Sequence, residues 1–276
     1  MLLQRTKITF FYAAVWAFVV IVMFPFFWQI NTSLKPPDQL YKMPPDWLPS
    51  PVYFGSYIST FTKHPFTIYL ENSLIVATAT TLYSIVMGAL CAYAVARLQF
   101  RGKKLILMLV LSVSMFPAIS ILSPLYILLR DFNLLNTFEG LILPYTTHGL
   151  PLTIWILASF FKDIPAELEE SARIDGTSRL GAFWRVIIPL AAPGMFTTAI
   201  LVFIGAWNEF LFAFSFMSKD IMRTVPVGIA MFPGEHDIPW GDISAASVIV
   251  TLPLIVMVLL FQRRIISGLT SGAVKG

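Results

Sequence analysis

The chain has 276 residues, of which 57% are apolar and 12% charged, and its mean hydropathy is +0.76. Such a balance excludes an ordinary soluble domain and points to a polytopic membrane protein. The single cysteine excludes an internal disulfide, and the basic balance (net charge +4, pI about 9.2) comes without the clustered basic and aromatic face of a nucleic-acid binder.

Six apolar windows are long enough to cross a hydrocarbon core as helix, and they predict spans over about 9–30, 69–96, 105–129, 139–161, 195–217 and 244–262. The first continues through Phe26-Phe27-Trp28 with no small-residue cleavage site, so it is expected to stay as a membrane anchor. Between the first two spans, Asn31 to Ile68 is rich in proline and predicts extended chain and short turns, with Trp47, Tyr53, Phe54 and Tyr57 as interfacial anchors. Glu71, Asn72 and Ser73 open the second span and read as a helix start or as ligand contacts. Cys91, inside that span, is expected to be a buried packing residue.

Pro117 and Pro124 interrupt the third span among Ser112, Ser114, Ser120 and Ser123, and Pro144 and Pro151 flank Tyr145-Thr-Thr-His-Gly149 in the fourth. Backbone groups freed at such breaks need hydroxyl or water partners, which favours a wet, moving path.

The longest polar interruption, residues 163–189, predicts two short helices broken at Gly176, which suits a left-handed conformation. Asp163 is the expected cap of the first helix, Glu167, Glu169 and Glu170 lie near its positive end, and Glu169 is spaced to pair with Arg173. Thr177 or Ser178 caps the second helix, Leu180, Phe183, Trp184 and Ile187 recur at helical spacing, and Pro189 stops it. The pair is too polar to span a bilayer and must lie at or outside its surface.

In the fifth span, Trp207, Asn208 and Glu209 put an ionisable group in the bilayer, either lining a path or bonded to a neighbouring helix. The last outer loop, Ser218 to Ile243, is a solvated connector or a contact surface; Phe232 and Trp240 are poor choices for open solvent.

Lys and Arg set the orientation. With the N-terminus inside, the inner stretches carry Arg5, Lys7, Arg97, Arg101, Lys103, Lys104, Lys162, Arg173, Arg179, Arg185, Arg263, Arg264 and Lys275, against Lys35, Lys42, Lys63, Arg130, Lys219 and Arg223 outside. Both termini and the 163–189 segment are thereby expected to face the cytoplasm. No phosphate-binding Gly-rich loop is present, and His64, His148 and His236 lack metal spacing, so no catalytic residue and no metal site is expected.

Glu170-Ser171-Ala172, Gly176 and Val186-Ile187-Ile188-Pro189 match the EAA motif of ABC importer permeases, departing from it by Ser171 for Ala, Val186 for Ile and Ile188 for Leu. With Ala206-Trp-Asn-Glu-Phe210 and the terminus Gln262 to Gly276, the whole chain resembles the maltose- and trehalose-type carbohydrate importer permeases. The resemblance implies a single all-α transmembrane domain over 1–276 with six transmembrane helices, the type I ABC importer permease fold, in the cytoplasmic membrane. It implies that 163–189 is a coupling segment, with Glu170, Ser171, Ala172, Asp175, Gly176 and Pro189 docking on an ATPase. It also implies that Trp207, Asn208 and Glu209 face the translocation path, and that Gly234, Glu235, His236 and Asp237 meet a binding protein. The implied partners are a second, related permease, two ATPase subunits that bind ATP and Mg, an extracellular or periplasmic sugar-binding protein and membrane lipid. By the same resemblance the chain itself is expected to bind no cofactor, and the implied cargo is a di- or oligosaccharide such as maltose or trehalose. The competing reading, an ion-coupled secondary sugar transporter or channel, needs an intramembrane cation site and no docking helix.

Overall fold

In the computed structural model, which describes residues 2–232 and 238–271, the described residues form helices and no strands. In chain order these are α1 (Leu2–Ser33), α2 (Pro37–Leu40), α3 (Gly55–Thr62), α4 (Phe66–Arg97), α5 (Lys103–Met115), α6 (Ala118–Asp131), α7 (Glu139–Asp163) and α8 (Ala166–Ile174). Then come α9 (Arg179–Ala182), a π-helical turn over Phe183–Ile187, α10 (Ile188–Leu190), α11 (Ala192–Trp207), α12 (Leu211–Phe216), α13 (Val225–Ala230) and α14 (Trp240–Ser271).

Among the described residues, four stretches are long and apolar enough to cross a membrane as single helices: Lys7–Ser33, Phe66–Arg97, Glu139–Asp163 and Trp240–Gln262. Two further stretches meet the same length and composition test only as bent pairs. α5 and α6 meet at 98°, and the run Arg179–Leu190 meets α11 at 77°. The span expected over 105–129, with breaks at Pro117 and Pro124, is two helices that part at Pro117 alone. Phe116 takes an extended conformation (φ −76°, ψ 128°) in front of Pro117, whose ring disfavours a helical residue before it. Pro124, Pro144 and Pro151, by contrast, sit inside continuous helices. The expected span 195–217 also stops early, at Trp207.

The described residues divide into two compact units. One joins the chain up to Thr67 with Ile229–Pro253. There, Ser33 at the end of α1 bonds to the Ile30 carbonyl (2.7 Å) and to the Tyr57 hydroxyl (2.8 Å). The Lys35 ammonium lies 4.5 Å from the centre of the Trp28 ring. Burial holds the pKa of Lys35 below its ordinary value, with Asp46 partly offsetting the shift. Trp47, expected at the interface, is exposed and edge-on to Trp28.

The other unit runs from Ile68 to Gly228 and includes the chain from Leu254 onward. Its core has two clusters, one of α4, α7 and the π-turn around Phe161, Phe183 and Ile187, the other around Leu141, Tyr145, Phe212 and Phe216. Asn72 donates to the carbonyls of Ile221 and Arg223 (both 2.9 Å), and Ser73 accepts the Val225 amide proton (2.8 Å), so these residues fasten α4 to the segment after the fifth span. Cys91 is exposed, contrary to expectation. A span that is apolar all round carries no periodic mark of which side meets the protein.

Candidate functional site: a hinged surface segment and an intramembrane cavity

The hinged segment is built from local signals. α7 runs through Asp163, so Asp163 ends one helix, and the N-cap position of α8 falls to Pro165. Gly176 adopts φ +88°, and the amides of Gly176 and Thr177 return to the carbonyls of Arg173 (3.1 Å) and Ala172 (3.0 Å). These are the bonds of a left-handed helix stop. Ser178 then caps α9, accepting the Gly181 amide proton at 3.1 Å. Pro189 lies within the closing turn of the second helical run, which breaks only after Leu190.

Burial divides the segment into two faces. Phe183 and Ile187 are fully buried, whereas Leu180 and Trp184, from the same predicted stripe, are exposed. Glu170, Ser171, Asp175, Gly176 and Pro189 are exposed as well, and Ala172 is half-buried. Ile174 is 85% exposed. Leu168 is exposed too, so with Leu180 and Trp184 four large apolar side chains on this short segment lie bare, more than a single stray one, which suits contact with another protein.

Glu169 points the other way. It accepts from the Tyr93 hydroxyl at 2.5 Å and lies 3.8 Å from Nε of Arg97, in place of the expected pairing with Arg173. The Arg97 guanidinium also donates to the Ile164 carbonyl.

The three fifth-span residues separate. Trp207, the last residue of α11, is buried and stacks on Phe203 at 5.6 Å. Asn208 turns its amide back to the Ile204 carbonyl (2.9 Å). Glu209 accepts amide protons from Phe212 (2.9 Å) and Ala213 (3.1 Å) and the hydroxyl proton of Tyr145. A carboxylate is thereby held where α12 starts, its negative charge matched to free backbone donors.

Of the three, only Glu209 lines the neighbouring cavity of about 520 Å³. The other polar groups around it are Thr80, Ser114, Tyr145, His148 and Trp155, set among leucine, valine and proline side chains. Such a space, mostly apolar with a few convergent hydroxyl, imidazole and indole groups, suits a hydroxylated organic solute better than an ion. Tyr145, His148, Leu152 and Trp155 occupy successive positions of one α7 face, a spacing of three, four and three residues visible in the sequence but not assigned there to the site.

Of the loop residues expected to meet a partner, Gly234, Glu235, His236 and Asp237 lie outside the described residues. Their flanks are anchored: Phe232 stacks face to face on His64 (3.8 Å, 1°), and Tyr41 donates to the Ile238 carbonyl (2.5 Å). The Asp242 carboxylate accepts from Ser59 (2.7 Å) and lies 3.3 Å from Nε2 of His64. Among the described residues, no three His, Cys, Asp or Glu side chains gather as a metal site.

Residues 84–271 match the family described as binding-protein-dependent transport system inner membrane component. The chain belongs to this family. Members are transport components, so this permease is not an enzyme, and ATP hydrolysis falls to a partner ATPase. The permease is 46% identical to the trehalose/maltose transport system permease of Thermococcus litoralis, over 93% of each chain. It is 46% identical to the trehalose transport system permease of Mycobacterium tuberculosis, over 92% of this chain and 93% of that one. A sulfoquinovosyl glycerol transport system permease of Agrobacterium fabrum is 44% identical over 92% of this chain and 89% of its own. Among solved structures, a bacterial ABC transporter involved in the import of the acidic polysaccharide alginate superposes with a TM-score of 0.83 at 20% identity, covering 94% of this chain and 96% of that one. The permease therefore has the all-α ABC importer permease fold.

Proposed function

We propose that this permease forms half of the membrane path of an ATP-driven importer of a di- or oligosaccharide of the maltose or trehalose kind. The hinged segment carries the reading: two short helices turned at Gly176 leave Glu170, Ile174, Leu180 and Trp184 exposed. That is a shape for docking on a soluble ATPase, with Ser171, Ala172, Asp175 and Pro189 completing the segment. Relatives named for trehalose, maltose and sulfoquinovosyl glycerol support a glycosidic cargo.

In this reading the whole chain is one transmembrane domain with both termini in the cytoplasm, as its Lys and Arg distribution favours. A second, related permease completes the path. Two ATPase subunits bind ATP and Mg on the cytoplasmic side, and a sugar-binding protein docks outside, partly on the loop that holds Gly234, Glu235, His236 and Asp237. Closure of the ATPases moves the coupling segments and opens the path outward. Along it, Glu209 shapes the break after Trp207 and Asn208, and the Tyr145, His148 and Trp155 face offers hydrogen bonds and aromatic surface to sugar hydroxyls and ring faces.

Reconstitution with the ATPases and binding protein, followed by uptake of labelled trehalose against a panel of unlabelled sugars, tests this. Uptake that requires ATP and is displaced by disaccharides is the expected result. Uptake driven by an ion gradient without ATP refutes it.

A further inference from the structure

The buried side of the hinged segment converges on a single residue. Tyr93, near the C-terminal end of α4, is 7% exposed. Its hydroxyl donates to Glu169 on α8 at 2.5 Å, and its ring packs 4.8 Å from that of Phe183 in the π-turn. Phe183 is fully buried and also meets Phe161 of α7 edge-on at 6.2 Å. One turn further along α4, Arg97 lies 3.8 Å from the same Glu169 carboxylate and donates to the carbonyl of Ile164, just ahead of α8. The side chains of Arg97 and Glu169 are 11% and 12% exposed. Gly176, where the chain turns from one helix to the next, lies between the two attached halves.

We propose that Tyr93 is a positioning residue for energy coupling: it binds both halves of the coupling segment to α4, so that segment and span move as one body. A load applied to the bare face at Ile174 and Trp184 then cannot be absorbed by flexing at Gly176. It passes into α4, which 13 residues earlier, about 20 Å at 1.5 Å per residue, places Thr80 in the wall of the intramembrane cavity. The tie is a charge-assisted hydrogen bond shielded from water, with an aromatic contact on the same ring, and both are stiffer than an exposed ion pair. Glu169 differs in this from its neighbour Glu170, which is exposed.

The inference rests on the importer reading above, and its test separates the two. In the reconstituted complex, Tyr93→Phe, Glu169→Gln and the double variant are compared for trehalose moved per ATP hydrolysed. Loss of one charge-assisted bond predicts a fall of about tenfold in that ratio, with assembly and basal hydrolysis kept within about twofold. The double variant should be no worse than the poorer single one, because both act on the same bond: Tyr93→Phe removes it, and Glu169→Gln leaves only a neutral acceptor. An unchanged ratio overturns the proposal. So does reduced assembly or thermal stability with the ratio intact in the surviving complexes, which would make the bond merely structural. Hydrogen exchange over Ala166–Ile174 in the purified complex needs no sugar. Tyr93→Phe should raise it about tenfold, and unaltered exchange refutes the tie even if the wild-type complex moves no sugar and the importer reading itself fails.

Discussion

Replacing Gly176 isolates backbone conformation from packing. At φ +88° an added Cβ meets no atom within 4 Å, so a substituted side chain has space, and the whole effect comes from the dihedral. Forcing an L-residue into the left-handed region costs about 1–2 kcal/mol, a factor of about 5–30 in the population of the hinge that the Gly176 and Thr177 amides close onto Arg173 and Ala172. Gly176→Leu should therefore cut sugar-stimulated ATP hydrolysis and uptake by about that factor while the complex still assembles. Gly176→Asn should keep much of the activity, because asparagine tolerates this conformation through local hydrogen bonding. The assay is binding-protein-stimulated hydrolysis and uptake in proteoliposomes, with assembly scored by co-purification. Equal wild-type uptake in the Leu and Asn variants would refute both the hinge and its place in coupling; equal loss in both would refute the dihedral as the cause.

Other consequences can be checked in the same preparation. Glu209→Ala leaves the Phe212 and Ala213 amides and the Tyr145 hydroxyl without their acceptor, so thermal unfolding in detergent should show a loss of about 1–3 kcal/mol. Asn208→Ala removes only an exposed bond to its own helix and should cost under about 0.5 kcal/mol in the same measurement. Trp155→Ala widens the cavity without touching the Glu209 cap and is expected to raise the KM for sugar uptake at constant melting temperature. At Gly140 an added Cβ would lie 2.1 Å from the Leu134 carbonyl oxygen, and Gly140→Ala should destabilise by about 1–3 kcal/mol, read as a lower midpoint. Replacing 233–239 by a Gly/Ser linker should weaken stimulation of hydrolysis by the binding protein and spare the basal rate; unchanged stimulation would make that loop a connector only.

The sequence by itself determined what depends on short-range chemistry or on bulk composition. Apolar run length marked the membrane class, Gly176 marked the hinge, and Thr177 or Ser178 marked the cap, which the structure gives to Ser178; hinge and cap each act within one turn of their own backbone. The same local logic misplaced the α8 cap at Asp163 and left Pro117 undistinguished from Pro124, Pro144 and Pro151, of which only Pro117 parts two helices. Tertiary structure alone decided which partners the polar groups took. Glu169 binds Tyr93, 76 positions earlier, where a helical neighbour was available at the right spacing; Glu209 binds Tyr145 across 64 positions. It also decided which apolar side chains stay bare, dividing Phe183 and Ile187 from Leu180 and Trp184 and leaving Cys91 exposed. The physical reason is the solvent. Where water covers one side, an amphipathic period records which face is inside, but a span surrounded by hydrocarbon is apolar on every face, and only the packing of neighbouring helices selects the buried one.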